Sequence, residues 1–255
     1  MLFYDIKIMC TEKYSINIKN IKIDEDTKVK VVRDDMIPGG TKQRAIDVYF
    51  KGKGEEYIYA GPPTGYAQVA LAESGKKYNE KVTIFLSRRN NDTKATKKAR
   101  SLGAKIIYTK IGMNLKDLQE DAKKYKNRKR DRVLLPFGLD NEDFVERLAM
   151  CIKEACARKK KPQRMWLVAG SATLLKALHK VFPKCHFLIV QVGKKIWPDQ
   201  LEGINHTLYI SPEKFSDEAE IQPPYPTVKA YDAKLWRFVL EYGKNGDFVW
   251  NVAKD

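Results

Sequence analysis

Residues 31–44 read VVRDDMIPGGTKQR. A short apolar run meets two carboxylates, Asp34 and Asp35. A Pro38-Gly39-Gly40 turn follows, and Thr41 and Lys42 stand where a helix should start. Such a strand-to-helix junction points free backbone N–H groups outward, and paired glycines let another group come close to the main chain. A lysine on the surface there would be one of 48 basic residues. A lysine held in a partly dry cleft has a lowered pKa and can form a Schiff base with a carbonyl. Which of these Lys42 is depends on the fold around it.

On both sides of this junction, strand and helix patterns alternate. After a β-like YSINIKNIKI (14–23), KVKVV (28–32) reads as a strand and TKQRAIDVYF (41–50) starts a helix. EYIYAG (56–61) is a strand, and the helix after it turns Ala67, Ala70, Leu71 and Ser74 inward. VTIFLS (82–87), AKIIYT (104–109) and RVLLPFG (132–138) are further strands. The helices between them run from DTKATKKARSLG, closed by Gly103, and from NLKDLQEDAKKYKNRKR, capped by Asn114. Phe144, Val145, Leu148, Ala149, Ile152 and Ala155 recur at helical spacing behind an Asn141 cap. MWLVAG and FLIVQVG flank the helix ATLLKALHKVF. A proline-rich tail, IQPPYPTVKAYDAKLWRFVLEYG (221–243), passes from extended chain to helix before a last strand, FVWNVA. Continuous apolar strands alternating with helices predict an α/β fold with parallel sheets covered on both faces. The expected division is a larger lobe of residues 1–52 and 132–255 and a smaller α/β lobe of 53–131.

The totals restrict the function class. With 43% hydrophobic and 31% charged residues in 255, the chain is globular. Charges interrupt every apolar run, and MLFYDIKIMCTEKY lacks the pattern of a secretory signal. A cytoplasmic protein, or one acting inside a host cell, is expected. Cys10, Cys151, Cys156 and Cys185 form no CxxC pair and read as reduced and structural. With His179, His186 and His206 scattered, no metal site is expected. The net charge of +16 favours a polyanion such as DNA, although a solvated basic surface gives the same total.

A second junction, VAGSATLL (168–175), offers Gly170, Ser171, Ala172 and Thr173 at a helix start. These small and hydroxylated residues suit a phosphate, and an ordinary turn with Ser171 as N-cap fits them too. RDDMIPGGTKQR (33–44) resembles the lysine segment of pyridoxal-phosphate enzymes of fold type II, in the branch of D-cysteine desulfhydrase and aminocyclopropane-carboxylate deaminase. VTIFLSRRNNDTKATKKARSLGAKIIY (82–108) is similar to that family's strand, helix and strand in its moving domain. VAGSATLLKAL (168–178) resembles its cofactor-phosphate loop. The tail PPYPTVKAYDAKLW (223–236) looks like that of small homologues encoded by bacteriophages and other viruses, some of them associated with amino-acid-derived modification of DNA bases.

The resemblance implies a two-lobed, tryptophan-synthase-β-like fold and pyridoxal 5'-phosphate as cofactor. Lys42 would be its Schiff-base lysine, with Arg44 beside it and the phosphate on Gly170, Ser171, Ala172 and Thr173. The substrate carboxylate would fall to GPPTGYAQ (61–68), on Thr64, Gly65, Tyr66 and Gln68, where the family usually has Ser-Asn-His or Ser-Asn-Gly. Tyr66 and Tyr231 are candidates for ring stacking or proton transfer, and Asn251 for the pyridine nitrogen. The activity implied is lyase, deaminase or decarboxylase chemistry on an amino acid or an amino-acid adduct, including one carried on a DNA base. A homodimer is compatible with this.

Two other readings stand beside it. VVRDDMIPGGT also resembles the ribose-phosphate loop of phosphoribosyltransferases, in which Asp34 and Asp35 would hold ribose hydroxyls and Thr41 a phosphate. A catalytically inactive protein of the pyridoxal fold could instead bind nucleic acid through its basic runs, KKYKNRKRDR (123–132) and RKKKPQR (158–164). Lys126, Arg128, Lys129 and Arg130 are the phosphate-contact candidates in the first run.

Overall fold

The computed structural model describes residues 14–50 and 55–255. Cys10, the first 13 residues and the expected lobe boundary at 52/53 lie outside the described residues. Alternation with a period of two builds the first sheet. In β2 (Lys28–Arg33), Val29 and Val31 face one side and Val32 the other, all buried. Six strands line up as β1 (Ile18–Lys22), β2, β10 (Phe248–Asn251), β7 (Arg164–Ala169), β8 (His186–Gln191) and β9 (His206–Ile210). All neighbours are parallel except the β1–β2 pair. One face packs on α5 (Glu142–Ala155) and α6 (Thr173–Val181) through Leu148, Ile152, Leu175 and Leu178. The other packs on α7 (Trp236–Tyr242) through Trp236 and Val239.

The second sheet is fully parallel, in the order β5 (Lys105–Ile111), β4 (Lys81–Arg88), β3 (Glu56–Ala60), β6 (Arg132–Leu135). Tyr57 and Tyr59 of β3 join Ala70 and Leu71 of α2 (Ala67–Tyr78), which lies beside α3 (Lys94–Ser101). Ile58 and Ala60 turn to the opposite face, against Leu118 and Ala122 of α4 (Leu115–Lys126). The covered, parallel sheets match the expected fold class.

The helix starts follow their caps. Asn114 and Asn141 accept the N–H groups of Asp117 and Phe144 at 3.0 and 2.8 Å, and each such cap contributes about 1 kcal/mol. One lobe boundary and one strand differ from the sequence reading. Residues 132–135 pair with β3, so the smaller sheet reaches past residue 131 and β6 leaves the larger lobe. β9, HTLYI, is not among the strands read from the sequence; it is an edge strand whose Leu208 and Ile210 face outward.

The short C-terminal strand β10 sits at the centre of the first sheet, between β2 and β7. The residues after it meet the Pro38–Thr41 turn, where Thr41 N–H donates to the Val252 carbonyl at 3.0 Å and Trp250 Nε1 donates to Thr41 Oγ1 at 2.9 Å. The two glycines are required by this packing. A Cβ on Gly40 (φ +71°) would lie 2.5 Å from the Val252 oxygen, and one on Gly39 would lie 2.7 Å from Ala70 Cα. The turn is thus wedged between the last strand and α2, and this wedge places Lys42 ahead of α1 (Gln43–Tyr49).

Candidate active site

Parallel strands deliver their C-terminal ends to one edge, where ligands of α/β proteins bind. Here both sheets do so around one cavity of about 450 Å³. Lys42 follows β2, Gly61 follows β3, and Ser87 ends β4. Gly138 follows β6, Gly170 follows β7, Gly193 follows β8, and Val252 follows β10; all of them line this cavity.

Lys42 is half-buried on the cavity wall. Burial pulls its pKa from the ordinary lysine value down to about 8, and the nearby Asp140 and Asp232 carboxylates only partly restore it. At neutral pH about a tenth of the side chain is therefore the free amine. Lys42 is the lysine of a partly dry cleft, not a solvated surface lysine.

Asp232 is the second unusual group. It is buried on the same wall, and neither carboxylate oxygen has a hydrogen-bond partner among the described residues. Burial holds its pKa well above the usual carboxylate range. The Val252 and Ala253 amides and the Lys42 charge pull the other way, but burial is the larger effect.

Two helix N-termini flank these groups. At the start of α6, the amides of Thr173 and Leu174 precede the first helical hydrogen bond, which runs from Lys176 N–H to Ala172 C=O at 2.9 Å. Gly170, Ser171, Ala172, Thr173 and Lys42 share a recess of about 30 Å³ beside the main cavity. Ala172, not Ser171, occupies the N-cap position, in the left-handed region at φ 61°. Ser171 instead shares a 2.9 Å hydrogen bond with Thr173, whose hydroxyl also donates to the Gly138 carbonyl at 2.9 Å. Residue 138 has no room for a side chain: its φ is +67°, and a Cβ would lie 2.3 Å from Ser171 Cβ and Oγ. Tyr59 fixes the same turn by accepting the Gly138 N–H at 3.3 Å.

The other N-terminus is that of α2. Thr64, Gly65 and Tyr66 line the cavity there, and Tyr66 is the N-cap residue. Burial pushes the Tyr66 phenol up to about 12, so at neutral pH it can donate a proton but not accept one as phenolate. Its hydroxyl lies 3.4 Å from the Pro38 carbonyl and 3.4 Å from Lys98 Nζ.

Several residues expected at the site are elsewhere. Arg44 is buried and spends its guanidinium on Asp34, at 3.0 and 2.6 Å, and on the Tyr14 carbonyl. It does not line the cavity. Gln68 is also buried away from it, and its Nε2 braces the loop through the Pro63 and Gly65 carbonyls at 2.7 and 3.0 Å. Asn251 donates to Asp35 and the Pro226 carbonyl, both at 2.8 Å, behind the cavity wall. Asp34 and Asp35 are tied to Arg44 and to Arg33 with Asn251, and Thr41 is buried. The phosphoribosyltransferase reading needed all three open to a ligand, so it fails.

Tyr231 lines the cavity, with its hydroxyl beside Gly170. Lys126, Arg128, Lys129 and Arg130 lie at and beyond the far end of α4, at the edge of the small sheet away from the cavity. Tyr59, Gly138 and Asp232 were not anticipated. The Pro-Phe-Gly after β6 is a weak turn signal for Gly138. Nothing local marks Asp232.

No family model matches the chain, and no curated protein matches it by sequence. Solved structures do. An ACC deaminase homologue superposes with a TM-score of 0.78 at 12% identity, covering 98% of this chain and 94% of that one. O-acetylserine-dependent cystathionine β-synthase from Helicobacter pylori gives 0.71 at 14% identity, with 96% and 94% covered. Escherichia coli diaminopropionate ammonia lyase, in complex with an aminoacrylate-PLP azomethine intermediate, gives 0.64 at 12%, with 98% and 88% covered. The fold is the two-lobed, parallel-sheet architecture of these proteins, fold type II.

Proposed function

We propose that the cavity binds pyridoxal 5'-phosphate and that the protein is an amino-acid lyase or deaminase using Lys42. The observation that carries this is Lys42 itself: a desolvated lysine between two helix N-termini in one cavity. One N-terminus serves a phosphate and the other a carboxylate.

The residues fit the cofactor. The α6 amides and the Ser171 hydroxyl would take its phosphate, in a cradle kept open by the glycine at 138. The unpartnered Asp232 carboxylate would accept a hydrogen bond from a protonated ring nitrogen. When bound, the cofactor supplies an electron sink for negative charge at the substrate's Cα.

The chain's own residues do the rest. Lys42 Nζ, partly neutral at pH 7, is the amine that would hold the cofactor, and it would take and return the proton at the substrate's Cα. The amides of Tyr66 and Ala67 and the Thr64 hydroxyl orient the substrate carboxylate. Tyr66, protonated at neutral pH, is placed to donate a proton to a departing group. The structural neighbours, which include a deaminase homologue and an ammonia lyase, support this class of reaction.

The test is a spectroscopic titration. Adding pyridoxal phosphate to the protein should produce a new visible absorbance band with saturable affinity. Lys42→Ala should abolish the band, and pyridoxal without the phosphate should bind at least tenfold more weakly. A band that persists in Lys42→Ala would end this reading.

A further inference from the structure

Outside the cavity, a groove lies on the smaller lobe. α4 crosses β3, β4 and β6 but leaves β5, the edge strand, uncovered on that face. An open trough of about 890 Å³ results. Its floor is apolar: Phe85, Ile107 and Ile111, the last 72% exposed. Its rim is cationic. Arg88, Lys110, Lys124 and Arg128 stand against a single carboxylate, Asp121. Among the described residues Arg88, Lys110 and Arg128 have no carboxylate partner, and Lys124 reaches only Asp121, at 3.3 Å on the solvent side.

From α4 the trough is lined by Asp121, Lys124 and Tyr125. Arg128 and the exposed Lys129 and Arg130 lie at one end. Met113 lies at the other, and it lines the central cavity as well.

We propose that this groove binds a single-stranded nucleic acid. Regularly spaced phosphates match a rim of four cations, three of which have no carboxylate partner among the described residues. Unstacked bases and sugars can cover an apolar floor that water hydrates poorly. A duplex keeps its bases inside and would meet the rim alone, leaving the exposed Ile111 unused. An acidic peptide would satisfy the charge but has no planar apolar face for the floor. Binding here is independent of the chemistry assigned to Lys42.

The test is fluorescence anisotropy of the full chain with a labelled thymidine homopolymer over a range of salt. Replacing Arg88, Lys110, Lys124 and Arg128 together with Gln should weaken binding more than tenfold. It should also flatten the salt dependence by about 0.7 in slope for each phosphate that is no longer neutralised. Ile111→Ser should weaken binding with the salt slope unchanged. A control removing equal charge from the larger lobe, with Lys153, Arg158, Lys159 and Lys160 changed to Gln, should alter affinity less than about twofold. Equal weakening in the two four-residue variants would reduce the effect to diffuse attraction by a +16 chain and overturn the proposal. So would tighter binding of a duplex, or displacement of the oligonucleotide by poly-glutamate at equal charge.

Discussion

Lys42 and Asp232 line one wall of the cavity as a lysine with a lowered pKa and a carboxyl group with a raised one. Each is pushed toward neutrality by burial, and their mutual attraction only partly opposes that shift. A site that keeps both groups desolvated sacrifices stability, and the cost should be measurable before any ligand is added.

Asp232→Asn should stabilise the protein without cofactor. The variant removes the ionisable charge that burial opposes and keeps the shape of the side chain. The melting temperature at pH 7 should rise by several degrees. The sign follows from linkage. The folded-state pKa is raised, so the wild type loses stability as pH climbs from the unfolded carboxylate value through the folded one. The gain should shrink toward acid pH, where Asp232 is protonated. The same variant should bind pyridoxal phosphate more weakly, so stability and affinity move in opposite directions. A melting temperature that falls at pH 7 would contradict the burial argument.

Gly138→Ala should damage the phosphate cradle at one point. Its Cβ would meet Ser171 Cβ and Oγ at 2.3 Å, and the left-handed φ adds about 1–2 kcal/mol of strain. Adding Ser171→Gly removes both obstructing atoms. The double variant should recover much of the stability forfeited by Gly138→Ala, with a coupling of about 0.5–3 kcal/mol in a double-mutant cycle. Additive effects would mean that the two residues do not touch.

Arg44→Met separates structure from ligand binding. It leaves Asp34 buried without its bidentate partner, which costs about 3–5 kcal/mol. Denaturant melts should show that destabilisation. Saturable pyridoxal-phosphate affinity, measured at a temperature where the variant is folded, should change less than about threefold. A tenfold weaker affinity with unchanged stability would restore Arg44 to the cofactor site.

Arg44 also marks where the sequence stops being legible. The β2–α1 and β7–α6 junctions could be read because each is a local pattern: an apolar strand, a glycine, small polar residues and a helical repeat. Both reach the cavity, and Lys42 lies where the junction puts it. Arg44, two residues further, sits on a helix whose rotation turns it toward Asp34, and only the tertiary packing determines that. Gln68 is a parallel case: it braces the loop whose binding surface its place in the sequence suggests. Tyr59 and Asp232 belong to neither junction. Tyr59 comes from a strand of the other sheet, and Asp232 from the segment after the proline-rich stretch. Chain packing alone brings them to the cavity, so no spacing rule could find them. FVWN has the pattern of a strand, but its place at the centre of the sheet depends on pairing with residues far away in sequence.

The pH dependence of carbonyl capture follows from Lys42. Only the neutral amine adds to an aldehyde, and its pKa is pulled down to about 8. The rate constant for capture of pyridoxal phosphate should rise about tenfold per pH unit below that value and level off above it. Stopped-flow absorbance from acid to alkaline pH would follow this. A rate still rising steeply at the alkaline end would mean an ordinary, solvated lysine.

The most direct measurement is the identity of the residue that captures the cofactor. The protein is loaded with pyridoxal phosphate, reduced with borohydride, digested and mapped by mass spectrometry. The expected result is a single pyridoxyl modification on Lys42, one of 36 lysines, with stoichiometry approaching one. Modification spread over surface lysines, or concentrated on another lysine while Lys42 stays free, would contradict it.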